Sequence, residues 1–371
     1  MNKGFSTYLD LVRVTAALLV LTGHLSAKIF GSFYVPGQIG HNAVIIFFLL
    51  SGYVIAFVAN TREHSLGAFA VSRAARIYSV AVPALLLTLA VDLFLLKESP
   101  TSPITARMPV YEIMKPVKYL AFSLSFGGDL WFLNIPAFSD VPYWSLLYEV
   151  LYYAVFAAAF YFDGRRRIVL VAILLAIMGP KLWVLFPIWI LGTAIYRLHS
   201  DGRMKIGVWE ARAILLVSGI LLVSCFAFNL TLPIDDNINR LSSGWTYKHL
   251  AASKWFVGDT VLGLILAVNF FAAHYAELRF GFTGPIVKWV AALTFAIYLM
   301  HYPLMEFWEI FTGKSVIALA LLVLASIVPL GLFTERAKLW LRRFFEISLR
   351  MAYKPAAGLA AKAATTAFAF S

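Results

Sequence analysis

Long apolar runs separated by short polar segments occupy most of the chain. A transmembrane helix needs about 20 predominantly apolar residues to cross ~30 Å of hydrocarbon, and ten of the runs are candidates for this role. These candidates lie near 7–27, 41–60, 77–96, 143–162, 167–180, 182–197, 211–229, 255–273, 286–308 and 315–335. The fifth is short, and only Gly179, Pro180 and Lys181 separate it from the sixth, which predicts a tight helical hairpin. The pattern predicts an all-α, polytopic membrane bundle of about ten transmembrane helices.

The composition supports a membrane protein. Hydrophobic residues make up 61% of the chain and charged residues only 13%, whereas about a quarter of the residues in a soluble protein are charged. The mean hydropathy is +0.81, so no compact water-facing shape could cover this much apolar surface. The single cysteine, Cys225, lies in an apolar run and excludes a disulfide framework or a zinc site built from cysteines.

The formal net charge of +12 is concentrated between the apolar runs. With the N-terminus placed inside and ten crossings, about twenty lysines and arginines fall on the cytoplasmic side and about ten outside, as the positive-inside rule requires. This distribution indicates contact with a bilayer and argues against a nucleic-acid partner. We therefore expect both termini in the cytoplasm, a transmembrane domain over 1–336, and a basic, then alanine-rich, flexible tail over 337–371.

The first predicted span carries three ionisable residues, Asp10, Arg13 and His24. An ionisable group at mid-membrane costs roughly 2.5–3.5 kcal/mol, so each requires a functional or structural reason. Arg13 and His24 are separated by about 16 Å along the helix axis and lie within about 20° of each other on one helical face. Either they form a polar stripe that serves chemistry, or Arg13 reaches the cytoplasmic headgroups and His24 lies at the outer interface.

The fourth predicted span carries Ser145 and Glu149 one turn apart on one helical face. Glu149 lies at a depth similar to that of His24, which permits the two side chains to meet in the bundle. A carboxylate beside an imidazole would fix its tautomer and raise its basicity, as general-base catalysis requires. The alternative is that Glu149 is an interfacial carboxylate that reaches water.

Three further groups have both a functional and a structural interpretation. His301 lies two residues before Pro303, so it is either catalytic or bonds a carbonyl that the proline leaves free. The Ser-Gly pair at 51–52 favours close helix packing over chemistry. Arg73 and Arg76 share a helical face and suit a phosphate or pyrophosphate, although positive-inside anchoring alone explains most such pairs.

Five short motifs follow one another between residues 9 and 303. They are Leu9-Asp10-x-x-Arg13 followed after ten residues by His24; Phe47-Phe48-x-Leu50-Ser51-Gly52-Tyr53; Arg73-x-x-Arg76-Ile77-Tyr78; Trp144-Ser145-Leu146-x-x-Glu149-x-x-Tyr152-Tyr153; and Tyr298-Leu299-x-His301-x-Pro303. In this order they resemble the membrane-bound acyltransferase 3 family. The arginine-to-histidine spacing and the fourth motif are the most specific. One departure is Ser79, where the family often has a proline.

This resemblance implies an O-acyltransferase that moves an acyl group, usually acetyl, from cytoplasmic acyl-CoA to a hydroxyl of an extracytoplasmic or lipid-linked carbohydrate. It implies that His24 is the catalytic base, oriented by Glu149, and that Arg13, Arg73 and Arg76 bind the donor. Supporting roles fall to Asp10, Ser51, Tyr53, Trp144, Ser145, Tyr298 and His301. Acyl-CoA would be a substrate, with no permanently bound cofactor or metal, and the protein would be a multi-pass protein of the bacterial inner membrane.

Two other functions are compatible with the sequence. Intramembrane histidines and carboxylates also serve as proton relays, so a transporter or flippase of a lipid-linked sugar or small solute is the main alternative. Such a protein is expected to contain inverted repeats or paired broken helices, and neither is clear in this sequence. A family member that keeps the fold without activity is the other alternative, against which the intact His24 and Glu149 argue. The sequence leaves open the acceptor, the acyl chain, the oligomeric state and whether an acyl-enzyme forms.

Overall fold

The computed structural model describes residues 2–30, 38–98, 115–202, 204–313 and 315–368. Side chains are described for these residues except 27–30 and 352–368. The helices are α1 (Lys3–Phe30), α2 (Ile39–Thr61), α3 (Leu66–Glu98), α4 (Pro116–Leu124), α5 (Trp144–Tyr161), α6 (Gly164–Met178), α7 (Pro180–Trp183), α8 (Phe186–Asp201), α9 (Val208–Phe228), α10 (Leu232–Leu241), α11 (Trp245–His249), α12 (Phe256–Tyr275), α13 (Thr283–Thr312) and α14 (Val316–Phe368). Short 3-10 turns at Val141–Tyr143 and Ala251–Trp255 precede α5 and α12. These described residues contain no strand, which confirms the all-α prediction.

Nine helical segments of the described residues are long and apolar enough to cross a membrane, and they correspond to nine of the ten predicted spans. The remaining one, predicted at 167–180, forms α6, whose 15 residues extend over only about 22 Å. This helix nevertheless packs along α5. Its last turn lies against Trp131, whose backbone and indole N–H groups donate to the carbonyls of Met178 and Ala176. With α6 included, the described helices pass ten times between the two ends of the bundle.

Contacts between helix ends define these two ends. The first turn of α1 packs against the segment after α12, since a β-carbon on Gly4 would lie 1.9 Å from the carbonyl oxygen of Leu278. At the same end, the hydroxyl of Tyr161, the last residue of α5, donates a 2.5 Å hydrogen bond to the carbonyl of Glu63 after α2. We call this end the basic end and the other the opposite end. The basic end contains residues 2–7, 61–67, 161–167, 204–212, 274–284 and 336–350. Its assignment to the cytoplasm stays a prediction.

The last helix continues beyond the predicted boundary. The predicted span ends at 335, whereas α14 continues to Phe368. Two ion pairs at helical spacing, Lys338 with Glu335 and Arg342 with Glu346, stabilise the basic part of this helix. The basic segment therefore extends the final span as helix, and the flexibility of 337–371 stays a prediction.

Two glycines allow α2 and α8 to approach closely. A β-carbon on Gly52 would lie 2.0 Å from the carbonyl oxygen of Trp189, and one on Gly192 would lie 2.0 Å from the carbonyl oxygen of Leu49. Neither position accepts a larger residue unless the helices separate. This close packing fixes the position of Ser51, whose hydroxyl accepts a 3.2 Å hydrogen bond from the indole N–H of Trp189.

Buried charges hold the segment between α4 and α5 against the bundle. The ammonium of Lys181, a residue only 1% exposed, lies 2.7 Å from the carboxylate of Asp129. Asp92 of α3 accepts hydrogen bonds from the backbone N–H of Ser139 at 3.1 Å and from its hydroxyl at 2.5 Å. These contacts fix the turn at Val141–Tyr143 and therefore the first residues of α5.

Candidate active site

A cavity of about 270 Å³ lies inside the bundle between α2, α3, α5 and α13, with Arg13 of α1 on its wall. Its polar lining consists of Arg13, Ser51, Arg73, Arg76, Ser145, Glu149, Tyr153, Thr294 and Tyr298. Seven of the twelve residues selected from the sequence therefore line one cavity. Asp10, His24, Tyr53, Trp144 and His301 are not part of its lining.

The cavity is elongated along the axis of the bundle. Its lining on α2 runs from Val44 to Val58, which corresponds to about 21 Å of helix. The wall formed by Val58 and Arg73 lies toward the basic end, and the wall formed by Val44 and Ser145 lies toward the opposite end. A long, flexible molecule that enters from the basic end would present its tip near the opposite end.

Three guanidinium groups contribute to the lining of this cavity. Arg73 pairs with Glu63 at 2.9 Å, and Arg13 lies 3.4 Å from Asp10 on the same helix. The guanidinium carbon of Arg76 lies 5.7 Å from the centroid of the Phe295 ring. Within the described part of the chain, Arg76 has no ion-pair partner. It is therefore the guanidinium most available to an anion.

Glu149 is the carboxylate on the wall of the cavity. It accepts a 2.7 Å hydrogen bond from the hydroxyl of Ser51 and a second hydrogen bond from the hydroxyl of Tyr153, one turn further along α5. Its charge also acts on the guanidinium of Arg13. Glu149 thus joins α2 to α5 and shares the cavity wall with the partly buried guanidinium of Arg13.

Two hydroxyl groups meet at the end of the cavity that faces the opposite end of the bundle. The hydroxyls of Ser145 and Tyr298 are 2.6 Å apart. Both can donate to the carbonyl of Pro142, at 3.3 Å from Ser145 and 3.1 Å from Tyr298. The turn before α5 therefore fixes two hydroxyl donors at one point of the cavity wall.

His24 and His301 lie together about one helical turn beyond this point. Their ring centroids are 5.2 Å apart in an edge-to-face arrangement. Nδ1 of His301 lies 2.8 Å from the carbonyl oxygen of Ile297 and 2.9 Å from that of Tyr298. Because both partners are acceptors, Nδ1 carries the proton and Nε2 has the lone pair. Nε2 is buried and has no hydrogen-bond partner among the described residues.

These bonds also test the structural interpretation of His301, in which it bonds a carbonyl that Pro303 leaves free. Pro303 deprives the carbonyl of Leu299 of its helical donor, and this carbonyl is not one of the two that His301 bonds. His301 therefore does not compensate for the proline. Its bonds instead orient the ring against His24.

The structure does not bring His24 and Glu149 together. His24 packs on Gly40, where a β-carbon would lie 3.2 Å from its Cδ2 atom. Glu149 bonds Ser51, which lies eleven residues after Gly40 on α2, or about 16 Å along the axis. Counting residues from the ends of the apolar runs therefore misjudged the relative depth of the two side chains, because the ends of α1 and α5 do not lie at one level along α2. The orientation of His24 by Glu149 is therefore not supported by these contacts.

The remaining predicted residues lie around the cavity. The Tyr53 hydroxyl is 3.1 Å from Nδ1 of His199, where α2 packs on α8. Asp10 pairs with Arg13. Trp144 stacks on His41, with ring centroids 5.8 Å apart. Tyr53 thus belongs to helix packing, and Trp144 belongs to a second cluster.

Sequence reasoning missed the centre of that second cluster, His41 and Asp259. Nε2 of His41 lies 3.0 and 2.9 Å from the two carboxylate oxygens of Asp259. Their side chains are only 8% and 2% exposed. Asp259 is a carboxylate inside the predicted span 255–273, and the cost of such a group in a membrane was the signal that could have found it. A histidine–carboxylate pair is thus present, but it is formed by other residues than expected.

Comparison with known proteins gives one result. The sequence model of the acyltransferase 3 family, described as an acyltransferase domain, matches residues 6–336. No curated protein and no solved structure matches the chain. The matched range includes every residue named above as part of the cavity or of the two histidine clusters.

Proposed function

Because the chain belongs to the acyltransferase 3 family of membrane proteins, we propose that it is an acyl-CoA-dependent O-acyltransferase. It moves an acyl group, with acetyl as the expected one, to a hydroxyl of an extracytoplasmic or lipid-linked carbohydrate. The observation that carries this proposal is a cavity with guanidinium groups toward the basic end and two hydroxyls toward the opposite end, next to a histidine pair. Family membership also favours an acyltransferase over the transporter alternative.

The donor's phosphates would bind at the basic end. Guanidinium groups suit phosphate because their planar N–H donors match its oxygens. Arg76 is available for this contact, whereas Arg73 shares its charge with Glu63. If the basic end is cytoplasmic, as the positive-inside rule indicates, it faces the compartment that contains acyl-CoA. The donor is then a substrate, and no permanently bound cofactor is needed.

The pantetheine arm would follow the cavity. Its volume of about 270 Å³ lies just below the ~300–1,000 Å³ of most ligand pockets, so it suits a slender chain better than a whole nucleotide. Val54, Ile55 and Ile77 supply apolar walls, and Arg13 and Glu149 supply polar groups for the amides of the arm. In this arrangement Glu149 is a positioning residue that balances Arg13 and fixes Ser51.

The reaction would take place where the cavity meets the histidine pair. The acceptor oxygen attacks the thioester carbon while His24 takes the hydroxyl proton. A positioned base of this kind raises the rate ~10²–10⁴-fold. The hydroxyls of Ser145 and Tyr298 turn from the carbonyl of Pro142 and donate hydrogen bonds to the carbonyl oxygen of the thioester as it becomes negative. The C–S bond then breaks, the proton passes from His24 to the thiolate, and the products are the ester and free CoA. His301 positions His24 through their ring contact.

The acceptor would arrive from the opposite end of the bundle. The segments around α10 and α11 lie at that end, whereas the start of α1 lies at the basic end. In a bacterial inner membrane, which we propose as the location, this side faces the periplasm. A saccharide built on a lipid carrier or at the cell surface is accessible from there.

Replacement of His24 tests the proposal. Membrane vesicles that contain the protein and the host's surface glycans are given radiolabelled acetyl-CoA, and the label in the glycan fraction is counted. We expect His24→Ala to lose at least 100-fold in transfer while its Kd for acetyl-CoA stays within twofold. His249→Ala is the matched control, because His249 lies at the same end against Trp245 and Phe132. Full transfer by His24→Ala overturns the proposal.

A further inference from the structure

The His41–Asp259 pair lies outside the cavity and joins the first turn of α2 to α12. Aromatic rings contact the imidazole on two sides: Trp144 stacks on it at 5.8 Å, and Trp255 contacts it edge-on at 4.8 Å. Both indoles are partly exposed. The ammonium of Lys254 lies 4.2 Å from the centroid of the Trp255 ring. The cluster therefore combines aromatic surface with a few charged and polar groups.

This cluster continues the wall of the cavity. His41, Val44 and Phe48 are spaced i, i+3 and i+7 on α2 and therefore share one helical face. Val44 and Phe48 line the cavity near its far end. Trp144 directly precedes Ser145, one of the two hydroxyl donors at that end. A molecule bound at the cluster would lie next to the point where the donor arm ends.

The carboxylate fixes the protonation pattern of His41. Because Nε2 faces two carboxylate oxygens, Nε2 carries the proton and Nδ1 of the neutral ring keeps the lone pair. In the described part of the chain, no hydrogen bond reaches Nδ1. A second carboxylate, Asp235, accepts a 3.0 Å hydrogen bond from the backbone N–H of Gly258, the residue directly before Asp259. Nδ1 is thus a fixed hydrogen-bond acceptor.

We propose that His41, Asp259, Trp144 and Trp255 form the acceptor subsite and bind a saccharide, an inference that rests on the proposed transfer to a carbohydrate. A hydroxyl of the sugar donates to Nδ1 of His41, and the apolar face of the sugar ring lies against the indoles. Aromatic walls with a few convergent polar groups are typical of small-molecule sites. Asp259 reaches the sugar only through His41 and is a positioning residue.

A purely structural histidine–carboxylate hydrogen bond makes a different prediction from a binding subsite. If the pair only joins α2 to α12, its loss weakens the bundle as a whole and affects every ligand alike. The substitution His41→Gln separates the two roles. Its amide nitrogen reaches the position of Nε2 and can still donate to Asp259, whereas no acceptor remains at the position of Nδ1.

The test measures saccharide binding without any acyl donor. The parent protein and its variants are placed in lipid nanodiscs, and saturation-transfer NMR is recorded with the methyl glycosides of glucose, galactose, mannose, rhamnose and N-acetylglucosamine. We expect at least one glycoside to bind the parent and its signal to fall at least fivefold in His41→Gln. His249→Gln, the same substitution at the same end, and Arg76→Glu, in the donor cavity, should keep the signal within twofold.

Calorimetry with acetyl-CoA completes the test, and His41→Gln should bind it within twofold of the parent. The subsite is contradicted if no glycoside binds the parent, if His41→Gln binds the glycoside as the parent does, or if it loses acetyl-CoA to the same degree. His41-dependent binding in a parent protein that transfers no acetyl group would support the subsite and overturn the proposed function instead.

Discussion

Gly40 lies directly against the imidazole of His24, because a β-carbon at residue 40 would lie 3.2 Å from Cδ2 and 3.4 Å from Nε2 of that ring. The same ring contacts His301 at a centroid separation of 5.2 Å. The backbone of α2 and a side chain of α13 therefore both restrict the position of His24. These two contacts help to position the proposed base, and small changes at either neighbour can test their effect.

Gly40→Ala is expected to move the His24 ring by a few tenths of an ångström. Small displacements of catalytic groups are costly, so we expect kcat to fall by about 10- to 100-fold while the KM for acetyl-CoA is unchanged. The matched control is Gly219→Ala, where the nearest atom, Nδ2 of Asn269, is 4.0 Å from the new carbon. An unchanged kcat in Gly40→Ala would show that the ring position does not matter.

Tyr298→Phe removes one of the two hydroxyls at the end of the cavity. Loss of a hydrogen-bond donor to a developing oxyanion costs about 10²–10³ in kcat, so we expect a loss of about 100-fold with the Kd for acetyl-CoA within twofold. Tyr275→Phe is the control, because its hydroxyl bonds the carbonyl of Met204 at the basic end. Steady-state kinetics measures the loss of kcat, and calorimetry measures acetyl-CoA binding separately. Weakened acetyl-CoA binding in Tyr298→Phe would assign the hydroxyl to donor binding and contradict its role in stabilising the oxyanion.

Arg76→Glu tests the phosphate site. A hydrogen bond to a charged group contributes about 1.5–3 kcal/mol, so we expect the KM for acetyl-CoA to rise by about 10- to 100-fold. Arg62→Glu has the same charge change at the same end, on an exposed residue, and should change KM less than threefold. Equal effects of the two substitutions would indicate a general electrostatic attraction and no defined site.

Glu149→Ala distinguishes a positioning role from direct orientation of His24. The substitution removes the carboxylate that accepts from Ser51 and Tyr153. Ser51 can still donate to the Tyr153 hydroxyl at 3.2 Å, whereas Tyr153 loses its acceptor, and an unsatisfied buried group costs about 1–3 kcal/mol. We expect a Tm lower by about 2–6 °C and weaker acetyl-CoA binding, with a smaller loss of kcat than in His24→Ala. A loss of kcat equal to that of His24→Ala, with normal donor binding, would restore the His24–Glu149 pairing.

Asp235 lies outside the membrane-spanning helices, and its carboxyl group predicts how the stability of the protein depends on pH. Burial raises the pKa of this carboxyl to about 6, above the ~3.9 of an unfolded aspartate. The folded state therefore binds this proton more tightly, so the contribution to stability is complete below about pH 4 and is lost as the pH rises through about 6. Asp235→Asn should raise Tm at pH 7.5 and leave it unchanged near pH 4. A lower Tm at pH 7.5 would contradict this assignment.

The helical bundle could be predicted from the sequence because lipid imposes a length and a polarity on every span. The short α6 was predicted in place, but its length fell below that of a full span. The need of Arg13 and Glu149 for polar neighbours was also accessible, because each is costly in a membrane, and the structure places both on the wall of one cavity.

Partners across helices could not be predicted in the same way. Helical spacing gives the face of α1 on which His24 lies, but not which neighbouring helix covers that face or at what height. In the structure the neighbours of His24 are Gly40 and His301. The histidine that contacts a carboxylate is instead His41. Such pairings depend on the tilt and offset of helices, which distant parts of the chain determine together.

The side from which the donor enters tests the central claim most directly. Sealed inside-out and right-side-out membrane vesicles are each given radiolabelled acetyl-CoA, which does not cross the bilayer, and acetylated glycan is measured. We expect label only in the inside-out vesicles, where the basic end faces the added donor, and on glycan protected inside the vesicle. Label of equal or greater amount in the right-side-out vesicles would contradict the passage of the acyl group from Arg76 through the cavity to His24.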